Sequence, residues 1–336
     1  MRLALVRLTA LGDVIHTAAS LQFIKAAFPD THITWFVEEK FSGILRHNPH
    51  IDATVPLDLH GLKKDRSLAK IRSIARSIRE AGPFDLVIDV QGLIKSAIVA
   101  RLAGRESAGL DRKSAREGVA SLLYRHRYPV DCADIAPMRF ARLIAQALGI
   151  EITREMMECK APYLFFDPNC DRSELDSYFS SDRPNLLIVT AASNPSKTYP
   201  PERWAEVIRS LEGSNVLLVA GSEAERREAG KIAASSAARL LPPMDMDGLK
   251  YAVSHADLLL GGDTGPSHIA WAMNRPSLLL FGATPRSMMF ETQRNIALTS
   301  GTPVHPCRFD KSDRSIATIE PGKIVESARN LLDGII

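Results

Sequence analysis

The 336-residue sequence predicts an α/β protein built from two doubly wound, mostly parallel halves. Three observations predict it. Short apolar, β-branched runs alternate with amphipathic helical segments, the pattern restarts near the middle of the chain, and the residues suited to chemistry fall just after strands. Alternation of this kind predicts βαβ units, and in such open sheets ligands sit outside the carboxyl ends of the strands.

In the first half the strands are "RLALVRL", "HITWFVEE", "ATVPLD" and "FDLVIDVQG", with helices expected over "HTAASLQFIKAAF" and "IRSIARSIREAG". The second half repeats the pattern with "NLLIVTAA", "NVLLVAGS", "ADLLLGGD" and "PSLLLFGAT", and "KIVESARNLLDGII" reads as a closing helix. Between them "MMECKAPYLFFDPNCDRSELDSYFSSDRP" is rich in proline and acids, as an inter-domain connection should be. The expected division is a first domain over 1–160, a linker over 161–184 and a second domain over 185–336, whose last helix is a candidate to pack back on the first.

Composition fits a globular chain with two cores, at 45% hydrophobic and 24% charged. Charge is uneven: the chain carries +6 through residue 160 and −3 beyond it, so an anionic partner is expected at the front half. The four cysteines are widely separated and form no C-x-x-C pair, which argues against a zinc site or a disulfide framework and for a reducing cytoplasm. No signal-peptide pattern opens the sequence and no apolar run approaches the ~18 residues of a membrane span, so a cytoplasmic protein is expected. Neither G-x-G-x-x-G after the first strand nor G-x-x-x-x-G-K-[ST] occurs, and the dehydrogenase and P-loop classes lose ground.

Five strand-end turns remain. In "LGDVIHT" Asp13 stands at the first turn of a helix, where it is either a cap or the group that does chemistry, with His16 one turn further on. Ser193 and Lys197 of "VTAASNPSKTYPPERW" precede a helix start and suit a phosphate. After Gly221, Glu225 can accept the hydroxyls of a ribose or simply cap its helix. The fourth turn, "GGDTGPSHIAWAM", is the most specific. Its glycines are expected to let a ligand approach, with Asp263, Thr264, Gly265 and His268 forming an anion cradle at a helix that begins with Pro266. The fifth, Gly282, Thr284 and Pro285 of "FGATP", shapes the wall beside it.

Together "LGDVIHT" and "DTGPSHIAWAMNRPSLLLFGAT" resemble the family 9 glycosyltransferases, the bacterial heptosyltransferases of the lipopolysaccharide core. "FDLVIDVQGLIKSAIVARLAG" and "GLDRKSAREGVASLLY" resemble in particular the branch that adds the first heptose. The resemblance implies a GT-B type architecture, two Rossmann-like doubly wound parallel-sheet domains facing a cleft. It implies ADP-L-glycero-β-D-manno-heptose as donor on the second domain and Kdo2-lipid A as acceptor on the first. Asp13 then matches the family's proposed general base, Lys197 with Ser193 its donor-phosphate site, Glu225 (or the nearby Glu223) its ribose acid, and Asp263, Thr264, Gly265 and His268 its "DTG" cluster, with Asp263 orienting sugar hydroxyls. Other members often carry GPT where "GAT" stands at 282–284. No cofactor or metal is implied, and the D-x-D of "MDMDG" at 244–248 reads as a helix cap.

The run "KKDRSLAKIRSIARSIR" gives charge a use. Leu68, Ile71, Ala75 and Ile78 form a stripe expected to pack on the core, with a solvated basic face. Lys63, Lys64 and Arg66, with Arg112, Lys113 and Arg116, are candidates for the acceptor's carboxylates and phosphates. The remaining basic residues are expected to steer the protein to the anionic cytoplasmic face of the inner membrane as a peripheral protein. Aromatic interleaving is absent, so nucleic acid is not an expected partner.

Overall fold

The computed structural model describes residues 1–65, 67–307 and 309–334. The chain divides into two compact units, Met1–Phe165 and Phe166–Ile336. Among the described residues no helix is long and apolar enough to cross a membrane.

The first unit runs β1 (Arg2–Val6), α1 (Leu11–Ala18), α2 (Leu21–Ala27), β2 (His32–Glu38), β3 (Ala53–Leu57), α3 (Leu68–Glu80), β4 (Leu86–Asp89), α4 (Ile94–Ala103), β5 (Ser107–Leu110), β6 (His126–Tyr128), α5 (Ala136–Leu148) and α6 (Arg154–Glu158). Its six strands are all parallel in the order β3-β2-β1-β4-β5-β6, with Leu3 opposite Ile33 on one side and Leu86 on the other. Leu3 to Val6 are fully buried because helices cover both faces, which is why the strand reads as an unbroken apolar run. Crossovers are right-handed, so the change of direction at β3 to β4 places α3 and α4 on the face opposite α1 and α5.

The single helix expected over residues 16–28 is two. The first begins earlier, at Leu11, and the chain breaks at Ala19–Ser20, just after Thr17 Oγ1 bonds back to the Asp13 carbonyl at 2.7 Å. Such back-bonding competes with the helix ladder. The stripe on α3 also departs from expectation. Ile78 is buried and Ile74 packs beside it, but Leu68 is 68% and Ile71 46% exposed.

In the stretch expected as a linker, 161–184, buried side chains alternate with exposed ones. Tyr163 and Leu164 are buried in the first unit, where Asn48 Nδ2 donates to the Tyr163 carbonyl at 2.8 Å. In the second unit Arg172 pairs with Asp247 at 2.6 Å. Just before the division, burial pushes the Lys160 ammonium down to about 7. In an unfolded chain the same amine titrates near 10.4, so between these values the unfolded state binds more protons and stability should rise with pH. Lys160→Met is expected to flatten that rise and to stabilise the protein near neutral pH by up to about 4 kcal/mol. Urea unfolding at neutral and alkaline pH measures both effects.

The second unit runs α7 (Ser173–Asp176), β7 (Asn185–Val189), α8 (Pro201–Ser210), β8 (Asn215–Val219), α9 (Glu223–Ala234), β9 (Arg239–Leu240), α10 (Met246–Ser254), β10 (Leu258–Gly262), α11 (Ile269–Ala272), β11 (Ser277–Phe281), β12 (Asn295–Thr299) and α12 (Pro321–Leu332). Its strand order is β12-β11-β10-β7-β8-β9, the first sheet's topology read from the other edge. The closing helix packs on α8 and over β10 and β11, burying Ile324, Val325 and Ala328 in its own unit's core. Asp245 of "MDMDG" caps α10, accepting from the Asp247 and Gly248 N–H groups at 3.1 and 2.8 Å.

Candidate active site

Strand order reverses direction between β1 and β4 in the first unit and between β7 and β10 in the second, and each switch point carries a charged cluster. In the first, Asp13 is the third residue of α1 and its carboxylate turns back to accept the Ala10 N–H at 3.3 Å. It also ion-pairs with Arg7, which leaves the end of β1 only 5% exposed, donates to the Val90 carbonyl at 2.8 Å and lies over the Phe140 ring. Asp13 is therefore a cap, and a carboxylate a quarter exposed whose direction is fixed by a buried guanidinium. From α5, Arg139 faces the same pair. Burial lowers its guanidinium from the usual value, Asp13 works against that shift, and its Nε has no hydrogen-bond partner among the described residues.

The turn before Asp13 is held from β4. Gln91 Oε1 accepts the Leu8 and Thr9 N–H groups at 2.8 and 3.2 Å, and its amide donates to Thr9 Oγ1 at 3.1 Å. Gln91 is in turn set by Asp89, fully buried, which accepts from the Gln91 N–H, the Ser96 hydroxyl and the Tyr124 hydroxyl at 2.8, 2.7 and 2.6 Å. Burial raises the Asp89 carboxyl, and these donors oppose the rise. Tyr124 reaches it across Gly109, where a Cβ would stand 2.4 Å from the ring. His16 lies one turn along α1 but is 1% exposed, so it does not present a ring to a ligand.

In the second unit the loop after β7 meets the loop after β10. Lys197 Nζ donates to Asp263 Oδ2 at 2.5 Å, and His268 Nε2 lies 3.0 Å from Asp263 Oδ1. Burial would raise the Asp263 carboxyl, but the His268 hydrogen bond and the Lys197 charge outweigh it and hold the group well below the usual carboxylate range. Asp263 is thus ionised at neutral pH, and His268 Nε2 must carry the proton between them. With both oxygens engaged, Asp263 is 4% exposed and holds Lys197 and His268 together.

Two further expectations change here. The glycines of "LGGD" admit the protein's own loops: a Cβ on Gly262 would meet the Lys197 carbonyl at 2.4 Å, and one on Gly261 the Ser267 hydroxyl at 2.7 Å. The helix expected from Pro266 is a 3-10 turn, Pro266–His268, running into the single turn of α11. In it the Ser267 and His268 N–H groups bond to the Thr264 and Gly265 carbonyls, both at 3.1 Å. Thr264 Oγ1 stands 3.2 Å from Ser267 Oγ.

Ser193 is exposed in the loop that carries Lys197. Glu225 closes a capping box: its Oε2 accepts the Gly221 and Ser222 N–H groups, both at 2.9 Å, while Ser222 Oγ accepts the Glu225 N–H. Glu223 is exposed at the start of the same helix. In the first unit Arg112, Lys113 and Arg116 are exposed on the loop after β5, and Lys64 on the loop after β3, at the sheet edge that bears Asp13. The Lys63 backbone closes a 3-10 turn, and Arg66 lies outside the described residues. Sequence reasoning passed over Arg7, Gln91 and Arg139. The strand-end rule could have found the first two, since a charge ends β1 and an amide follows β4.

Two Rossmann-like units of one topology, each with its polar cluster at the switch point, give the chain a GT-B-like fold. The E. coli heptosyltransferase WaaC with ADP superposes with a TM-score of 0.79 over 98% of this chain and all of that one, at 24% identity. E. coli ADP-heptose lps heptosyltransferase II gives 0.73 over 100% and 99%, at 21% identity. The model of glycosyltransferase family 9 (heptosyltransferase) matches residues 71–313. Lipopolysaccharide heptosyltransferase 1 of Campylobacter coli is 31% identical, covering 98% of this chain and 99% of its own length, and that of Pseudomonas aeruginosa is 34% identical over 91% and 86%. The chain belongs to glycosyltransferase family 9 and is a lipopolysaccharide-core heptosyltransferase.

Proposed function

We propose that this chain transfers L-glycero-D-manno-heptose from ADP-heptose to the Kdo of Kdo2-lipid A, the first heptose of the inner core. The observation that carries the donor side is the Lys197 ammonium held by Asp263 at the β7/β10 switch point, a fixed cation where a diphosphate would lie. The two relatives named above bear the name heptosyltransferase 1, and a solved structure of E. coli WaaC contains ADP-2-deoxy-2-fluoro heptose, which supports the same reading.

In this proposal the second unit holds the donor and the first the acceptor. An acceptor hydroxyl oxygen attacks the anomeric carbon on the face opposite ADP, the bond to the diphosphate oxygen breaks, and configuration inverts. Asp13 takes the hydroxyl proton as the new bond forms. Lys197, Thr264 and the N–H groups of Thr264 and Gly265 stabilise the charge growing on the leaving diphosphate, with Ser193 beside them. Glu225 meets the ribose through Oε1 while Oε2 keeps the helix cap, and His268 holds Asp263 in place. Lys63, Lys64, Arg66, Arg112, Lys113 and Arg116 take the anionic groups of the acceptor, and the protein works as a peripheral protein on the cytoplasmic face of the inner membrane.

Incubation with ADP-heptose and Kdo2-lipid A, followed by mass analysis of the lipid, tests the reading. A gain of one heptose supports it; no gain there, with a gain on an acceptor that already carries heptose, assigns a later step of the core instead. Gly262→Ala is expected to weaken donor binding by about 10²-fold, because its methyl pushes the Lys197 loop off the strand end. Calorimetric titration with ADP measures it.

A further inference from the structure

We propose that the outer face of the layer formed by α3, α4 and the 3-10 segment Gly118–Leu123 is a docking surface for an anionic lipid bilayer. Leu68, Ile71, Ile94, Ile98, Val119 and Leu122 are between 43% and 68% exposed. Outside this layer only Met1, Phe28 and Phe309 are comparably exposed large apolar side chains among the described residues. Single exposed apolar residues are ordinary, but six on contiguous elements are not. Contiguity follows from packing, since α3 lies against α4 and α4 against Gly118–Leu123. Leu68 with Ile71 and Ile94 with Ile98 also fall at the three- and four-residue spacings that put them on one side of each helix.

Charge selects the occupant. A shallow groove of about 500 Å³ runs along α3 between Ile71 and Ala75 and the side chains of Arg72, Arg76 and Arg79, with Glu80 the one acid in its lining. Lys95 and Arg101 are exposed on α4. A second copy of this chain docking symmetrically would set this basic face against itself, which like charges oppose. Apolar side chains that share their helices with exposed Lys and Arg suit instead the boundary between acyl chains and phosphate headgroups.

Position gives the surface a purpose. The apolar residues stand on the first half of α3 and of α4, helices that begin at the carboxyl edge of the sheet, where Asp13 and the Arg112–Arg116 loop also lie. Docking this face would bring that edge to the headgroups, a consequence that rests on the lipid-borne acceptor proposed above.

The test is co-sedimentation with vesicles of phosphatidylethanolamine and phosphatidylglycerol, with phosphatidylcholine vesicles as control and neither donor nor acceptor present. Wild type is expected to bind the anionic vesicles and to be released by salt. The exposed-site variant Leu68→Ser/Ile71→Ser/Leu122→Ser is expected to bind about tenfold more weakly, with an unchanged melting temperature and unchanged transfer to a deacylated, water-soluble acceptor. Equal binding by variant and wild type overturns the proposal, as does absence of wild-type binding. A wild-type dimer in sedimentation velocity that the variant abolishes also overturns it, by assigning the face to a second copy. Failure of transfer to the soluble acceptor by wild type would overturn the heptose reading alone, because vesicle binding needs neither substrate.

Discussion

Replacing Asp13 with Asn is expected to lower turnover by about 10²- to 10⁴-fold while leaving affinity for ADP-heptose unchanged. Asn keeps an oxygen for the Ala10 N–H, so the start of α1 survives, but it cannot take a proton. The structure adds a cost that the turn alone does not suggest. Arg7 is 5% exposed and would lose its counter-charge, keeping the Val90 carbonyl and the Phe140 face. Breaking a buried pair costs about 3–5 kcal/mol, and with Asp13 a quarter exposed the loss should fall below that range, near 2 kcal/mol. A melting temperature lowered by several degrees, with donor affinity intact and turnover gone, is the expected pattern. Turnover within tenfold of wild type in a folded Asp13→Asn protein would end the base assignment, and buried His16 offers no replacement.

Lys197→Met should raise the KM for ADP-heptose and lower kcat together, for a loss of about 10²- to 10³-fold in kcat/KM. Met fills the stem's volume and removes the charge. Asp263, 4% exposed, would then keep its hydrogen bond with His268 at this cluster. On the proposed reading, in which Asp263 acts on the donor through Lys197 and His268, Asp263→Asn should itself impair donor binding. The double variant Lys197→Met/Asp263→Asn should be little worse than Lys197→Met, since groups in contact do not contribute independently. Steady-state kinetics on the four proteins decides it. Additive losses would mean that Asp263 touches the sugar directly.

The strands that form the two switch points were legible because a strand covered on both faces is apolar along its middle, as β1, β4, β7 and β10 are between their end residues. The strand-end rule then led to Asp13, Lys197 and Asp263 without any contact being known. Strands β5, β6, β9 and β12 escaped notice, β5 and β9 for opposite reasons. "SAGL" is built of small residues because the Tyr124 ring occupies the space over Gly109, and Arg239–Leu240 is too short to carry a pattern. The stripe on α3 misled because periodicity reports which residues share a face, not what that face meets. Leu68 and Ile71 keep the spacing of core positions and meet solvent. Partners separated by long stretches of chain were beyond local reading. The hold of Gln91 on Thr9 spans 82 residues and that of Lys197 on Asp263 spans 66.

A lysine leashed to a buried carboxylate is a poor trap for stray anions. Inorganic phosphate or a lone carboxylate arriving at Lys197 must compete with Asp263 at 2.5 Å, in a place from which that acid cannot withdraw. A ligand that also brings a base, a ribose and a sugar to the surrounding loops can share the ammonium with Asp263 rather than displace it. Discrimination against the small ions of the cell is in that sense written into the resting pair, before any substrate arrives.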